Sequence, residues 1–178
     1  ARAAAQPPPF VLQWGTTGSA PGQFNLPTGI GVDESGYVYV ADQLNHRVQK
    51  FDAGGRFIAE WGQAQLTRPG GLAVDRFGHV YVADNSAGRV VKFSTTGSFQ
   101  GTIGSTGAMD GQLLCPWGVG TDSLGNVYVA DICLRMVQVF APDGTFLRKW
   151  GGLESPYGLE VDRSGSVYVT EPGSGRIS

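Results

Sequence analysis

Apolar and polar residues alternate in short runs along this chain, and no run has the 3.6-residue spacing of a helix. Four runs share one pattern: VYVAD begins at Val38, Val80 and Val127, and VYVTE begins at Val167. Alternation with period 2 is typical of half-buried β-strands. Each run follows a segment that starts with proline and ends in an Asp-x-x-Gly turn. The pattern predicts an all-β protein.

The alternating segments belong to a repeat. Its prolines lie at spacings of 42, 47 and 40 residues, at Pro27, Pro69, Pro116 and Pro156. Each repeat predicts a first strand from the proline to the aspartate, a second strand at VYV, and a third at a motif such as VQKF. A fourth strand ends in Trp-Gly or Ile-Gly. Four short strands in about 43 residues form one blade of a β-propeller.

The repeat closely resembles the NHL repeat. The resemblance rests on the proline–glycine–aspartate segment, the GxVYVAD segment, and Asn45-His46-Arg47-Val48, which falls where the family has its Asn-His signature. It covers residues 24–178. Such families usually form six-bladed propellers, which the resemblance therefore implies here.

About three and two-thirds repeats are present, and we expect them to form part of a six-bladed ring. The alternative is a four-bladed ring in which residues 11–14 (VLQW) complete the last blade. We assign residues 11–178 to the partial propeller. Residues 1–10, rich in proline and alanine, are predicted to be a disordered linker.

Composition narrows the possible partners. The net charge is −2 and only 16% of residues are charged, which argues against nucleic acid as a ligand. No apolar run approaches the length of about 20 residues that spans a membrane. Further blades or another copy of the chain are possible partners for an incomplete ring, whose edges would be exposed.

The two cysteines are predicted to form a disulfide. Cys115 begins the first strand of the third repeat, and Cys133 follows the end of the second strand. Neighbouring antiparallel strands bring these positions together. Because disulfides persist in oxidising compartments, we expect an extracytoplasmic or secreted location.

Two sets of acidic residues recur in the repeats, and a structural role explains both. The Asp-x-x-Gly aspartates can accept hydrogen bonds from turn N–H groups. The acid that ends the second strand is followed five residues later by arginine in three repeats, which predicts structural ion pairs. The paired residues are Asp42 with Arg47, Asp84 with Arg89, and Glu171 with Arg176.

The sequence predicts no catalytic residue, metal site or cofactor. Zinc-dependent lyases resemble this scaffold, but catalytic zinc needs about three protein ligands. The two histidines, His46 and His79, fall at opposite ends of their blades. A propeller lyase or hydrolase with ligands outside this sequence is one alternative function. An RNA-binding NHL propeller is another, although acidic and basic residues nearly cancel on the relevant face.

Residues that break the repeat predict where a ligand binds. Loops on one face of a repeat scaffold commonly carry the binding function, and aromatic residues suit recognition. We therefore predict a protein-binding or scaffold module with a protein or peptide partner, or else aromatic residues that only plug the channel. The predicted binding face comprises Thr28, Gln43, Asn45, His46, Asn85, Trp117, Ile132, Leu134 and Tyr157.

Overall fold

The computed structural model describes residues 11–178, and the predicted linker at residues 1–10 lies outside that range. Three four-stranded antiparallel sheets and one three-stranded sheet follow one another along the chain. Within residues 11–178, no helix is long and apolar enough to cross a membrane. The all-β propeller architecture predicted from the repeat is confirmed.

In each blade the strands pair in chain order. The first blade contains β3 (Pro27–Val32), β4 (Val38–Asp42), β5 (Arg47–Phe51) and β6 (Phe57–Trp61). The second contains β7 (Pro69–Val74), β8 (His79–Asp84), β9 (Arg89–Ser94) and β10 (Phe99–Ile103). The third contains β13 (Pro116–Thr121), β14 (Val127–Asp131), β15 (Met136–Phe140) and β16 (Phe146–Gly151). The fourth contains β17 (Leu159–Val161), β18 (Val167–Glu171) and β19 (Arg176–Ile177).

Two short parallel ladders lie in the connections before the first and third blades. One joins β1 (Thr16–Thr17) to β2 (Gln23–Phe24), and the other joins β11 (Ser105–Thr106) to β12 (Gln112–Leu113). Single 3-10 turns follow two of the second strands, at Gln43–Asn45 and Asn85–Ala87. Two-residue strands give little periodic signal, so the repeat pattern did not predict these elements.

The core lies between blades. In the VYVA pattern, successive side chains point to opposite faces of the sheet, and each face packs on a different neighbour. Tyr39 and Ala41 of the first blade are buried with Val80 and Val82 of the second. The second and third blades repeat this arrangement, as do the third and fourth. Period-2 alternation therefore produces two buried faces here rather than one buried and one solvated face.

First strands of neighbouring blades approach very closely around the channel. A Cβ atom on Gly29 would lie 2.6 Å from the Gly70 carbonyl oxygen, and one on Gly118 would lie 2.5 Å from the Tyr157 carbonyl oxygen. A Cβ atom cannot lie so close to a carbonyl oxygen, so a residue with a side chain does not fit at either position. Glycine recurs at this position because the backbone of the next blade occupies the space.

Each Asp-x-x-Gly turn is held by its aspartate, as predicted. Asp33 Oδ1 accepts the N–H groups of Ser35 and Tyr37 at 2.9 and 3.0 Å. Its other oxygen accepts the Tyr39 hydroxyl at 2.8 Å. Burial and the Asp33 carboxylate raise the pKa of Tyr39 well above its ordinary value, so the hydroxyl remains a donor. Asp75, Asp122 and Asp162 make the corresponding contacts.

The acids that end the second strands are completely buried. Arg47 Nε lies 2.9 Å from Asp42 Oδ2, and Arg89 and Arg176 lie 3.5 and 3.3 Å from their acids. Asp131 of the third blade instead accepts backbone N–H groups, including that of Leu134 at 3.0 Å. These carboxylates tie the second strand to the preceding connection, which is a structural role.

Cys115 and Cys133 form the predicted disulfide, with Cα atoms 5.3 Å apart. Residues 11–14 do not form an outer strand of the fourth blade, which has three strands within the part of the chain that the structure describes. Trp14 instead packs against Phe51 of the first blade, with ring centroids 6.0 Å apart. The closure that a four-bladed ring requires therefore does not form in this structure.

We expect Gly118→Ala to lower the free energy of unfolding by about 1–3 kcal/mol, because its Cβ would collide with the backbone of the fourth blade. The matched control is Gly151→Ala, where the nearest atom to the new Cβ is 3.7 Å away. Urea denaturation of both variants tests this. If the urea midpoint of Gly118→Ala equals that of the parent protein, the first strands of the third and fourth blades can move apart at little cost.

Replacing both cysteines with serine should destabilise the protein by about 3 kcal/mol, since the disulfide closes a loop across a sequence separation of 18 residues. Thermal unfolding of the variant and of the parent protein, each with and without reductant, measures this loss. Reductant should lower the melting temperature of the parent protein and leave that of the variant unchanged. Detection of two free thiols in the unreduced, denatured parent protein would contradict the pairing.

Candidate binding site at the channel mouth

The channel between the first strands has two mouths of different chemistry. At the turn mouth, a cavity of about 390 Å³ is lined by the four Asp-x-x-Gly turns. Its repeated aspartates are already engaged with turn N–H groups and tyrosine hydroxyls. Because these contacts recur from blade to blade, the aspartates themselves offer little to distinguish one ligand from another.

At the opposite mouth, which we call the aromatic mouth, Trp117 and Tyr157 form a pair. Their ring centroids are 4.6 Å apart with an interplanar angle of 37°. Trp117 is half-buried and lies over Gly70, whereas Tyr157 is 40% exposed. Both residues precede the recurring glycine of a first strand, where the other two blades have Thr28 and Gly70. These small residues leave room for the aromatic rings.

Several predicted binding residues make hydrogen bonds within the protein. Thr28 Oγ1 donates to the Pro69 and Gly70 carbonyl oxygens at 3.1 and 3.0 Å. Gln43 is buried and donates to the Pro69 carbonyl, and Asn85 donates to the Pro116 carbonyl. These three side chains form hydrogen bonds between neighbouring blades, and therefore stabilise the packing of the blades.

Asn45 and His46 lie in the 3-10 turn after β4. Asn45 donates to the Gly18 carbonyl oxygen at 2.9 Å and to Asp42 Oδ2 at 2.8 Å. His46 adopts a left-handed conformation with φ of 54°, and its Nδ1 lies 2.6 Å from the Thr67 carbonyl oxygen. The NHL signature residues therefore hold the turn to neighbouring loops.

Ile132 and Leu134 flank Cys133 in the loop between β14 and β15, and both are half-buried. The disulfide and the Asp131 carboxylate fix this loop. Of the nine predicted residues, Trp117, Tyr157, Ile132 and Leu134 have no side-chain hydrogen bond among the described contacts. Their role in binding a partner stays a prediction.

Glu160 is a further site residue that the sequence argument missed. It occupies the first-strand position held by Gly31, Ala73 and Gly120 in the other blades, which is a visible break in the repeat. Glu160 lines the cavity of about 200 Å³ at the aromatic mouth together with Trp117. It also lines the next cavity along the channel, of about 380 Å³.

Partial removal from water raises the pKa of the Glu160 carboxyl above its ordinary value. The ionised form is therefore disfavoured in the folded protein. No hydrogen bond or opposite charge within the described residues offsets this cost. Glu160 is nevertheless exposed in the channel wall, where its carboxylate can pair with a cationic group of a ligand.

The described residues offer no metal centre: no group of three or more His, Cys, Asp and Glu side chains is placed to hold an ion. His79 Nδ1 lies 2.7 Å from Asp75 Oδ2 at the start of β8, while His46 lies beyond the end of β4. The two histidines are at opposite ends of their strands, as their positions in the repeats predict.

We expect Glu160→Gln to melt at a higher temperature than the parent protein at pH 7. A raised folded pKa means that the carboxylate destabilises the fold above that pKa, and that this effect disappears as the pH falls below the unfolded value of 4.5. Melting temperatures of both proteins between pH 3.5 and 8 should converge at the acidic end. A parent protein that is more stable at pH 7 would show that Glu160 has an internal partner.

Some known proteins are similar to parts of this chain in sequence, and others are similar to it in fold. Residues 24–51 and 66–93 each match the NHL repeat model. Protein lin-41 of Caenorhabditis elegans is 48% identical over 50 residues, which are 28% of this chain and 4% of that protein. Human NHL repeat-containing protein 3 is 38% identical over 55 residues, covering 29% of this chain and 16% of that protein.

Among solved structures, a streptogramin B lyase aligns with a TM-score of 0.69 at 18% identity, over 85% of this chain and 53% of that one. A chain of a nidogen/laminin complex aligns with a TM-score of 0.69 at 22% identity, over 85% of this chain and 63% of that one. At such identities the likeness shows the fold alone. The chain spans about half the length of the lyase. The chain therefore contains NHL repeats, matched by the family model at residues 24–51 and 66–93, and its sheets form the blades of a β-propeller.

Proposed function

We propose that this chain is a protein-binding module and that a protein or peptide partner docks at the aromatic mouth. The observation that carries the proposal is the Trp117–Tyr157 pair at the channel opening, in which Tyr157 is exposed and Trp117 is half-buried, and which two of the four described blades contribute. Large aromatic side chains with a polar atom dominate protein interfaces, because they bury much area at low entropic cost.

The fixed loop beside the pair supports the same proposal. Ile132 and Leu134 add apolar surface, and the disulfide holds their backbone in place. A preorganised surface loses little conformational entropy on binding. The nidogen/laminin complex is a solved assembly of a protein with a similar fold, which agrees with protein binding but does not identify a partner.

The ion pairs of Arg47 remove one basic group that an RNA ligand could contact on this face. Arg47 is buried and bonded to Asp42, to Glu60 and to carbonyl oxygens, so it is not free to contact phosphate. A metal-dependent lyase or hydrolase would need a group of metal ligands, and residues 11–178 bring no such group together. We also propose an extracytoplasmic location, because the disulfide is stable in an oxidising compartment.

The test uses peptides selected by phage display against the parent chain. Trp117→Ala and Tyr157→Ala should each weaken the selected peptides by about thirtyfold or more, the loss expected for a hot-spot aromatic. Isothermal titration calorimetry measures the affinities, and melting temperatures establish that each variant is folded.

The matched control is Phe77→Ala, which removes a 56% exposed aromatic side chain from the Asp75–Gly78 turn, on the face of the turn mouth. It should leave the affinity unchanged. If Phe77→Ala abolishes binding and the other two variants do not, the partner uses the turn mouth. If Trp117→Ala unfolds the protein and Tyr157→Ala binds normally, the aromatic pair is only a channel plug.

A further inference from the structure

We propose that the partner inserts a basic side chain, lysine or arginine, into the aromatic mouth so that its cationic group reaches the Glu160 carboxylate. This inference rests on the proposed function and specifies which residue the partner inserts. The starting observation is that the first strand of the fourth blade has Glu160 where the other three first strands have glycine or alanine.

The carboxylate and the aromatic pair line one cavity. Trp117, Tyr157 and Glu160 all contribute to the space of about 200 Å³ at the mouth. Glu160 follows Tyr157 by three residues, so their backbones are at most about 10 Å apart. A side chain that enters past the rings can therefore reach the carboxylate.

A second cavity farther along the channel offers space for such a side chain. Gly31, Ala73 and Gly120 carry little or no side chain, and together with Glu160 they line the cavity of about 380 Å³ deeper in the channel. Ile30 and Leu72 line both cavities and provide apolar surface. The aliphatic stem of lysine or arginine can pack on these residues while its charged group contacts Glu160.

The charges of the channel favour a cation. Glu160 is the only charged residue lining either of these two cavities within the described chain. Farther along, the turn mouth contributes five carboxylates and two guanidinium groups. The face of a tryptophan or tyrosine ring also attracts a nearby cation. A metal ion fits poorly, because one carboxylate provides too few oxygen ligands.

The test is a titration with four blocked pentapeptides that differ only in the central residue of Gly-Gly-X-Gly-Gly: arginine, lysine, citrulline or norleucine. The signal is the indole N–H resonance of Trp117, assigned by loss of the peak in Trp117→Phe. The arginine or lysine peptide should bind the parent chain about fivefold to tenfold more tightly than citrulline or norleucine.

Glu160→Gln should remove this preference, so that basic and neutral peptides bind it with equal affinity. The matched control is Glu34→Gln, which removes one negative charge at the turn mouth. This variant should still bind basic peptides more tightly than neutral ones. Melting temperatures of both variants establish that they are folded.

Two outcomes overturn the inference in distinguishable ways. If the basic and neutral peptides bind the parent equally, and Glu160→Gln binds them as the parent does, the aromatic mouth remains a binding site without a cation subsite. If no pentapeptide shifts the Trp117 resonance and the selected peptides also bind independently of Trp117 and Tyr157, the proposed function fails together with the inference.

Discussion

Neighbouring first strands pack so closely around the channel that backbone meets backbone, and the rest of the molecule depends on this contact. A Cβ atom on Gly71 would lie 2.5 Å from the Trp117 carbonyl oxygen. This proximity brings the VYVA second strands into face-to-face contact, where the tyrosine and alanine of one blade pack against valines of the next. The same contact fixes which side chains surround the channel.

Most polar residues of the repeat maintain this arrangement. The Asp-x-x-Gly carboxylates close turns, and the buried acids such as Asp42 tie second strands to the preceding connections. Inter-blade hydrogen bonds from Gln43 and Asn85 add further links. The acidic residues that recur in every blade therefore serve the scaffold, and so do some residues that depart from the repeat, such as Gln43 and Asn85.

Departures from the repeat gather at one end of the channel. Trp117 and Tyr157 stand in consecutive blades and meet because their first strands are neighbours. Glu160 enters the same space from the fourth blade. The site is thus built from single substitutions in separate repeats, which the ring geometry brings together. A rigid scaffold with a variable mouth is suited to recognition, and the mixture of aromatic surface and one negative charge favours a basic side chain.

The sequence by itself determined the all-β class, the four strands of each of the first three blades, the turn aspartates and the cysteine pair, because each depends on local periodicity or on neighbouring strands. It also identified Trp117 and Tyr157 as departures from the repeat. Only the tertiary structure separated Thr28, Gln43 and Asn85, whose hydrogen-bond partners lie on the next blade, from residues available to a ligand. Only it placed Glu160 beside the aromatic pair, because the contact between residues on different blades depends on how the blades pack and not on their spacing in the chain.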